Sequence, residues 1–156
     1  MKHDGYTVRW ATPSDCALMA SLELDSSRYE KRFQPIDLTL SDFSALWKER
    51  LNSREYAAIL AFSDDKLCGF LSFRGEIRDG FIAALYVEPA FFRMKVGTLL
   101  VNVAEVMVRR LKGLSLRAEV QEHNDSAIHF YRSLHFVRTP VKLAHMIVME
   151  KEFTNA

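Results

Sequence analysis

The chain has 156 residues, 49% of them apolar and 26% charged, with a formal net charge of +1. That is enough for one domain around a real core, and too little charge asymmetry for a protein that tracks phosphate backbones, so nucleic acid is a poor fit as partner. No apolar run reaches membrane-spanning length, Met1-Lys2-His3-Asp4-Gly5 is too polar for a signal peptide, and Cys16 and Cys68 lack metal-ligand spacing.

These features predict a single cytoplasmic domain over residues 1–156, with reduced thiols and neither membrane nor metal partner. Tyr6 to Trp10 reads as a first strand. Thr12-Pro13-Ser14-Asp15 then opens a helix: Thr12 can cap, Pro13 suits the first helical position, and Asp15 can reach back to complete a capping box. The helix is expected to turn Ala17, Leu18, Leu22 and Leu24 inward. Asp25 to Pro35, with Tyr29 and Phe33, reads as a loop. Thr39 and Asp42 cap a second helix whose buried stripe is Phe43, Leu46, Trp47 and Leu51.

A meander follows. Tyr56 to Phe62 is a strand, residues 63–66 a turn, and Leu67 to Arg78 a second strand. Asp79-Gly80 predicts a two-residue hairpin with a type I′ turn, because such a turn needs positive φ. It leads into Phe81–Val87, an apolar run closed by Glu88-Pro89 and expected to be the central strand. Past a loop from Ala90 to Val96, the residues Leu99, Leu100, Val103, Ala104, Met107 and Leu111 repeat with helical period. A strand that feeds a helix this way aims unpaired backbone N–H groups and the positive end of the helix dipole at one point, which suits an anion. The same residues also describe an ordinary strand–helix joint. Leu114 to Gln121 is a further strand, Asn124 or Asp125 caps a helix carrying Ala127, Ile128, Tyr131 and Leu134, and Phe136–Thr139 with Lys142–Lys151 form a closing antiparallel pair. The order is that of a mixed α/β (α+β) sheet of about seven strands with helices on both faces.

In this order the chain resembles the GCN5-related N-acetyltransferase (GNAT) family over nearly its whole length. Three stretches carry the resemblance: Tyr6-Thr7-Val8-Arg9 with Ala11-Thr12-Pro13-Ser14-Asp15; Leu85-Tyr86-Val87-Glu88-Pro89 with Gly97; and Val120, Asn124, Ala127-Ile128, Tyr131 and Phe136. The last set is similar to the family's V-x-x-x-N-x-x-A-I-x-x-Y-x-x-x-G-F pattern. Two departures stand out. The acetyl-CoA loop of the family reads Gln/Arg-x-x-Gly-x-Gly/Ala, and here those positions hold Phe92, Lys95 and Gly97. His135 stands where the family has the glycine after the last helix, a position that usually wants left-handed φ.

The resemblance implies a mostly antiparallel sheet, acetyl-CoA as co-substrate without a metal, and a small-molecule or peptide amine as acceptor. It also implies direct attack of the amine on the thioester, and it admits a homodimer. Backbone groups of Leu85, Tyr86 and Val87 would pair with the pantetheine arm. The stretch Arg93, Met94, Lys95, Val96, Gly97 and Thr98 would face the pyrophosphate, and Asn124 and Arg132 would assist. Tyr131 would protonate the departing thiolate, since a phenol of pKa about 10 stays protonated at neutral pH. The amine, of pKa about 10.4 as a lysine, needs a base. The family's strand glutamate is replaced by Phe81, which leaves Glu76 and Asp79 along the hairpin and Glu122 and His123 at the end of the neighbouring strand as candidates, with His123 and Glu76 put forward. The altered loop and the missing glutamate also fit a module of the same fold that holds acyl-CoA without turning it over.

Overall fold

The structure, a computed structural model, describes residues 2–29 and 39–154. Its elements run β1 (Lys2–His3), β2 (Tyr6–Trp10), α1 (Cys16–Tyr29), α2 (Leu40–Ser53), β3 (Tyr56–Ser63), β4 (Lys66–Arg74), β5 (Phe81–Val87), α3 (Val96–Arg110), β6 (Ser115–Gln121), α4 (Asp125–Ser133), β7 (Val137–Leu143) and β8 (Met146–Glu152). The strands form one sheet in the order β1-β2-β3-β4-β5-β6-β8-β7. Every pairing is antiparallel except β5 with β6. Seven strands match the expected ones, and the two-residue β1 adds an eighth at the edge. Among the described residues no helix is long and apolar enough to cross a membrane.

The sheet separates two cores. On one face Val96, Leu100, Val103, Ala104 and Val108 of α3 pack with Tyr131 and Phe136 against Leu71, Phe73, Ile82, Leu116, Ala118 and Met149. On the other, Met19, Leu22 and Leu24 of α1 and Phe43 and Trp47 of α2 pack against Leu60, Leu67 and Phe70. The second helical layer packs on β3 to β5 and leaves the β6 side of that face uncovered by α1 and α2.

Several local expectations need correction. The segment from Asp25 to Tyr29 is the last turn of α1, not a loop, and its small hydroxyl residues Ser26 and Ser27 are buried. Tertiary packing there overrides weak helix propensity. Residues 30–38, including Phe33, lie outside the described residues. Ala17 and Leu18 face solvent while Met19 and Ala20 are buried, because a 3-10 turn at Pro13–Asp15 precedes α1 and rotates its face. Leu46 and Leu111 are exposed, and α3 ends one residue before Leu111. No two-residue hairpin joins β4 to β5. Positive φ falls on Gly75 and Gly80, and a 3-10 turn at Ile77–Asp79 lies between them. Gly80, at φ 66, is pressed onto β6: a Cβ there would collide with the Ser115 carbonyl.

The start of α1 is tied down by charge. Both guanidinium Nη atoms of Arg9 donate to the Asp15 carboxylate at 2.9 Å, and the Thr12 N–H donates to it at 2.8 Å. The hydrogen bond from Arg9 holds the Asp15 carboxyl below the usual carboxylate range, against desolvation, which pushes it up. A lowered carboxylate stabilises the fold above its unfolded-chain value of about 3.9, and the stabilisation is lost as pH falls through the folded value. Asp15→Asn is expected to cost about 1–2 kcal/mol at neutral pH, after allowance for the half-exposed Arg9. In urea titrations the gap between wild type and variant should narrow steadily below about pH 4. A gap that stays constant to pH 2 would remove the pair from the stability of the fold.

Candidate active site

The site begins with a separation of strands. β4 pairs with β5 from Gly69↔Val87 to Phe73↔Ile82, with a register shift between Ser72 and Phe73 that makes Ala83 an extra residue. β5 pairs with β6 only at Phe81↔Arg117 and Ile82↔Ala118, whereas β6 stays paired with β8 from Ser115 to Gln121. Past Ile82 the two central strands therefore diverge toward their C-terminal ends. A bulge bends and twists its strand, and this one sits where the divergence starts.

Alternation decides which backbone groups face the gap. The Glu88 N–H donates to the Cys68 carbonyl at 2.8 Å, so every second residue before it also turns to β4. Leu85 and Val87 are the intervening residues, and their N–H and C=O groups turn toward the gap. The backbone of Tyr86 points to β4 instead, and its ring lies 5.5 Å from that of Phe70 on the α1 side.

Above the gap the chain coils tightly. Glu88 accepts a hydrogen bond from the Ala90 N–H at 2.8 Å and opens a 3-10 turn over Pro89–Phe91. Arg93 and Lys95 then both take positive φ, 68° and 62°. Lys95 is thus a side-chain-bearing residue in the conformation that a glycine would adopt with least strain. It is also the N-cap of α3, and its side chain makes no capping bond. The N–H groups of Val96, Gly97 and Thr98 are the first of the helix and have no carbonyl inside it to bond. Two glycines set this terminus against the sheet. A Cβ on Gly69 would meet Val96 Cγ1 at 2.9 Å and the Tyr86 carbonyl at 3.0 Å, and one on Gly97 would meet the Phe130 ring at 3.2 Å.

Helix α4 closes the α3 side of the gap. The Asn124 carboxamide oxygen accepts from the Ala127 N–H at 3.1 Å, so this side chain acts as the N-cap. Tyr131 is 5% exposed and packs between Phe130 and Phe136, with ring centroids 5.1 and 5.0 Å away. His135 takes φ 74, the left-handed value expected at that position, and the Phe136 N–H returns to the Tyr131 carbonyl. Arg132 is exposed.

The expected base candidates lie apart. Glu76 lines a cleft of about 480 Å3 with Arg54, Ala57, Ile77, Arg78 and Leu111, at the C-terminal end of α3. The length of β5, roughly 20 Å at about 3.3 Å per residue, separates that end from Val87. His123 is at the open end of β6, but its side chain is 89% exposed, 3.5 Å from Glu122. Glu122 is engaged with Lys142 at 2.8 Å, and that hydrogen bond holds its carboxyl below the usual range.

A cluster not foreseen from the sequence stands at the apex of the gap, on the face away from α3. Ile82, Leu116, Ala118 and Phe73 face the α3 core, so their neighbours Phe81, Arg117, Glu119 and Arg74 face the other way. Arg74 lies 4.5 Å over the Phe81 ring, Arg117 lies 5.8 Å from it, and Arg74 donates to Glu119 at 3.0 Å. Glu119 is the first residue of β6 beyond the last pair with β5. The only signal in the sequence was the polar alternation of β6, Arg117 and Glu119 against Leu116, Ala118 and Val120, which by itself describes any half-solvated strand.

Comparison with known proteins joins these observations. Solved structures with the same fold include the PaiA N-acetyltransferase from Thermoplasma acidophilum in complex with coenzyme A. It is 20% identical, with a TM-score of 0.79 over 95% of this chain and 99% of that one. An acetyltransferase from Thermus thermophilus is 19% identical, with a TM-score of 0.78 over 98% of this chain and 100% of that one. YncA from Salmonella typhimurium, solved with its cofactor acetyl-CoA, is 19% identical, with a TM-score of 0.67 over 98% and 96%. No curated protein matches the sequence. The family model described as the acetyltransferase (GNAT) family matches residues 19–136, which takes in both central strands, the coil above the gap and the capped helix α4. With its split sheet and that match together, the chain belongs to the GNAT family of acetyltransferases.

Proposed function

We propose that this protein transfers an acetyl group from acetyl-CoA to a primary amine, by direct attack while both are bound. The observation that carries the reading is the continuous path of backbone donors from the gap to the uncapped start of α3. The amides of Leu85 and Val87 line one wall of the gap, and those of Val96, Gly97 and Thr98 stand at its top. That set fits an extended amide-bearing arm ending in a diphosphate. Arg93 and Lys95 add charge from outside, both being exposed. Two similar structures are described as complexes with coenzyme A and with acetyl-CoA, which supports the choice of ligand.

Acetyl-CoA would supply the acyl group as an activated thioester. The chain's own residues divide the remaining work. An amide facing the gap at Leu85 or Val87 donates to the acyl oxygen as charge builds on it. Tyr131, on the α4 side, gives its phenolic proton to the sulfur as the C–S bond breaks. The amine nitrogen forms the new C–N bond and loses a proton. We assign that proton to Glu119, because it stands at the apex on the open face, whereas Glu76 lies in a separate cleft and His123 in solvent. Arg74 donates to the Glu119 carboxylate at 3.0 Å and orients it.

Calorimetry with acetyl-CoA, paired with thiol release over a panel of amines, tests the reading. Binding with release supports it, and binding without release for any amine would favour an acyl-CoA-holding module. Tyr131→Phe should lower kcat by about 100-fold, within the range for acid catalysis, and leave acetyl-CoA affinity within about twofold. An unchanged kcat would remove Tyr131 from the mechanism. Lys95→Gly should leave acetyl-CoA affinity equal or tighter, because the backbone already holds a glycine-like conformation and strain of about 1–2 kcal/mol is relieved. A large loss would assign the binding to the lysine charge. Glu119→Gln should lower kcat/KM by about 100-fold, within the range for base catalysis, and an unchanged value would return the base to another group.

A further inference from the structure

Among the described residues, the apex cluster holds one cation without an anion. Arg117 sits beside the last β5–β6 pair, on the sheet face opposite α3, and its Nε is buried without a hydrogen-bond partner. Nearby, Arg74 is already bonded to Glu119. Glu150 is the cross-strand neighbour of Arg117 on β8, yet among the described residues no ion pair to Arg117 forms. The Arg117 guanidinium instead lies 5.8 Å from the Phe81 ring centroid. A buried guanidinium N–H normally has an acceptor.

Resting on the transferase reading above, we propose that the acceptor amine carries a carboxylate, and that Arg117 with the Phe81 ring forms its recognition site. Three observations point to this chemistry. Among the described residues, the face opposite α3 is the one on which an amine can approach the apex, because α3 and α4 cover the other. A planar guanidinium matches a carboxylate in a forked pair. Arg117 carries one unit of charge and Glu119 and Glu150 stand close by, which suits a monoanion better than a phosphate of nearly two charges.

The test uses the full chain with acetyl-CoA and matched amines: amino acids of increasing amine–carboxylate separation and a dipeptide, each beside its carboxamide. Thiol release should favour the carboxylate member of at least one pair by about tenfold or more in kcat/KM. Arg117→Gln should erase that ratio through KM, with acetyl-CoA affinity by calorimetry and the thermal midpoint little changed. Arg117→Lys should keep part of the ratio, and it stands in if the glutamine variant does not fold. Carboxamides used as well as carboxylates would overturn the proposal, as would a ratio that survives Arg117→Gln or an absence of release from every carboxylate-bearing amine. A wild-type chain that fails to bind acetyl-CoA at all would sink the transferase reading itself, which calorimetry reports independently of the amine.

Discussion

The site depends on a parallel strand pair that is made twice and then abandoned. Two rungs, at Phe81↔Arg117 and Ile82↔Ala118, fix β5 and β6 at one end, and nothing in the sheet holds them together beyond. A parallel pair that stays closed would consume the amides of Leu85 and Val87 in its own ladder. The opening is sustained from both sides. β4 grips β5 along its length, and β8 grips β6 along its own, so each half of the sheet is complete without the other. Gly80 then sets the closed end tightly, because its bare Cα lets the turn before β5 rest against the Ser115 carbonyl. The gap is thus a hinge-like wedge with a rigid apex.

Each wall of that wedge offers a different chemistry. Toward α3 and α4 it is apolar and closed, with Tyr131 buried between two phenyl rings. Away from them it is polar, with Arg74, Arg117 and Glu119 around Phe81. On the proposed reading, the donor on the first side serves the departing sulfur and the acceptor on the second serves the attacking amine, with the acyl carbon held between them. The separation follows from strand alternation. Side chains one residue apart on β6 serve the core and the cleft by turns.

Features with a local cause were legible in the sequence. Asn124 and Thr39 cap helices through bonds to residues three places on, and both bonds are present. Asp15 closes its capping box. Phe81–Val87 is central, with β4 on one side and β6 on the other. What failed depended on distant neighbours. Asp79-Gly80 carries a hairpin signature, yet the connection is set by how Gly80 meets β6, a strand 35 residues later in the chain. The extra residue at Ala83 has no sequence mark at all, since alanine neither demands nor forbids a bulge. Glu119 has no mark in the sequence beyond the polar alternation of its strand, because its partner Arg74 is 45 residues away.

The loop above the gap shows why a motif and its physical function can part company. The family pattern asks for glycine where Lys95 stands, and a reading by residue identity counts that as damage. The backbone at Lys95 nevertheless turns to φ 62, with Arg93 likewise at 68, so the N–H groups that follow are presented as a glycine would present them. The conformation is held by its surroundings: the Glu88 cap, the 3-10 turn after it, and Val96 seated on Gly69. The side chains of Arg93 and Lys95 are exposed. The relevant requirement is therefore the direction of the amides, and glycine is one way among several to meet it.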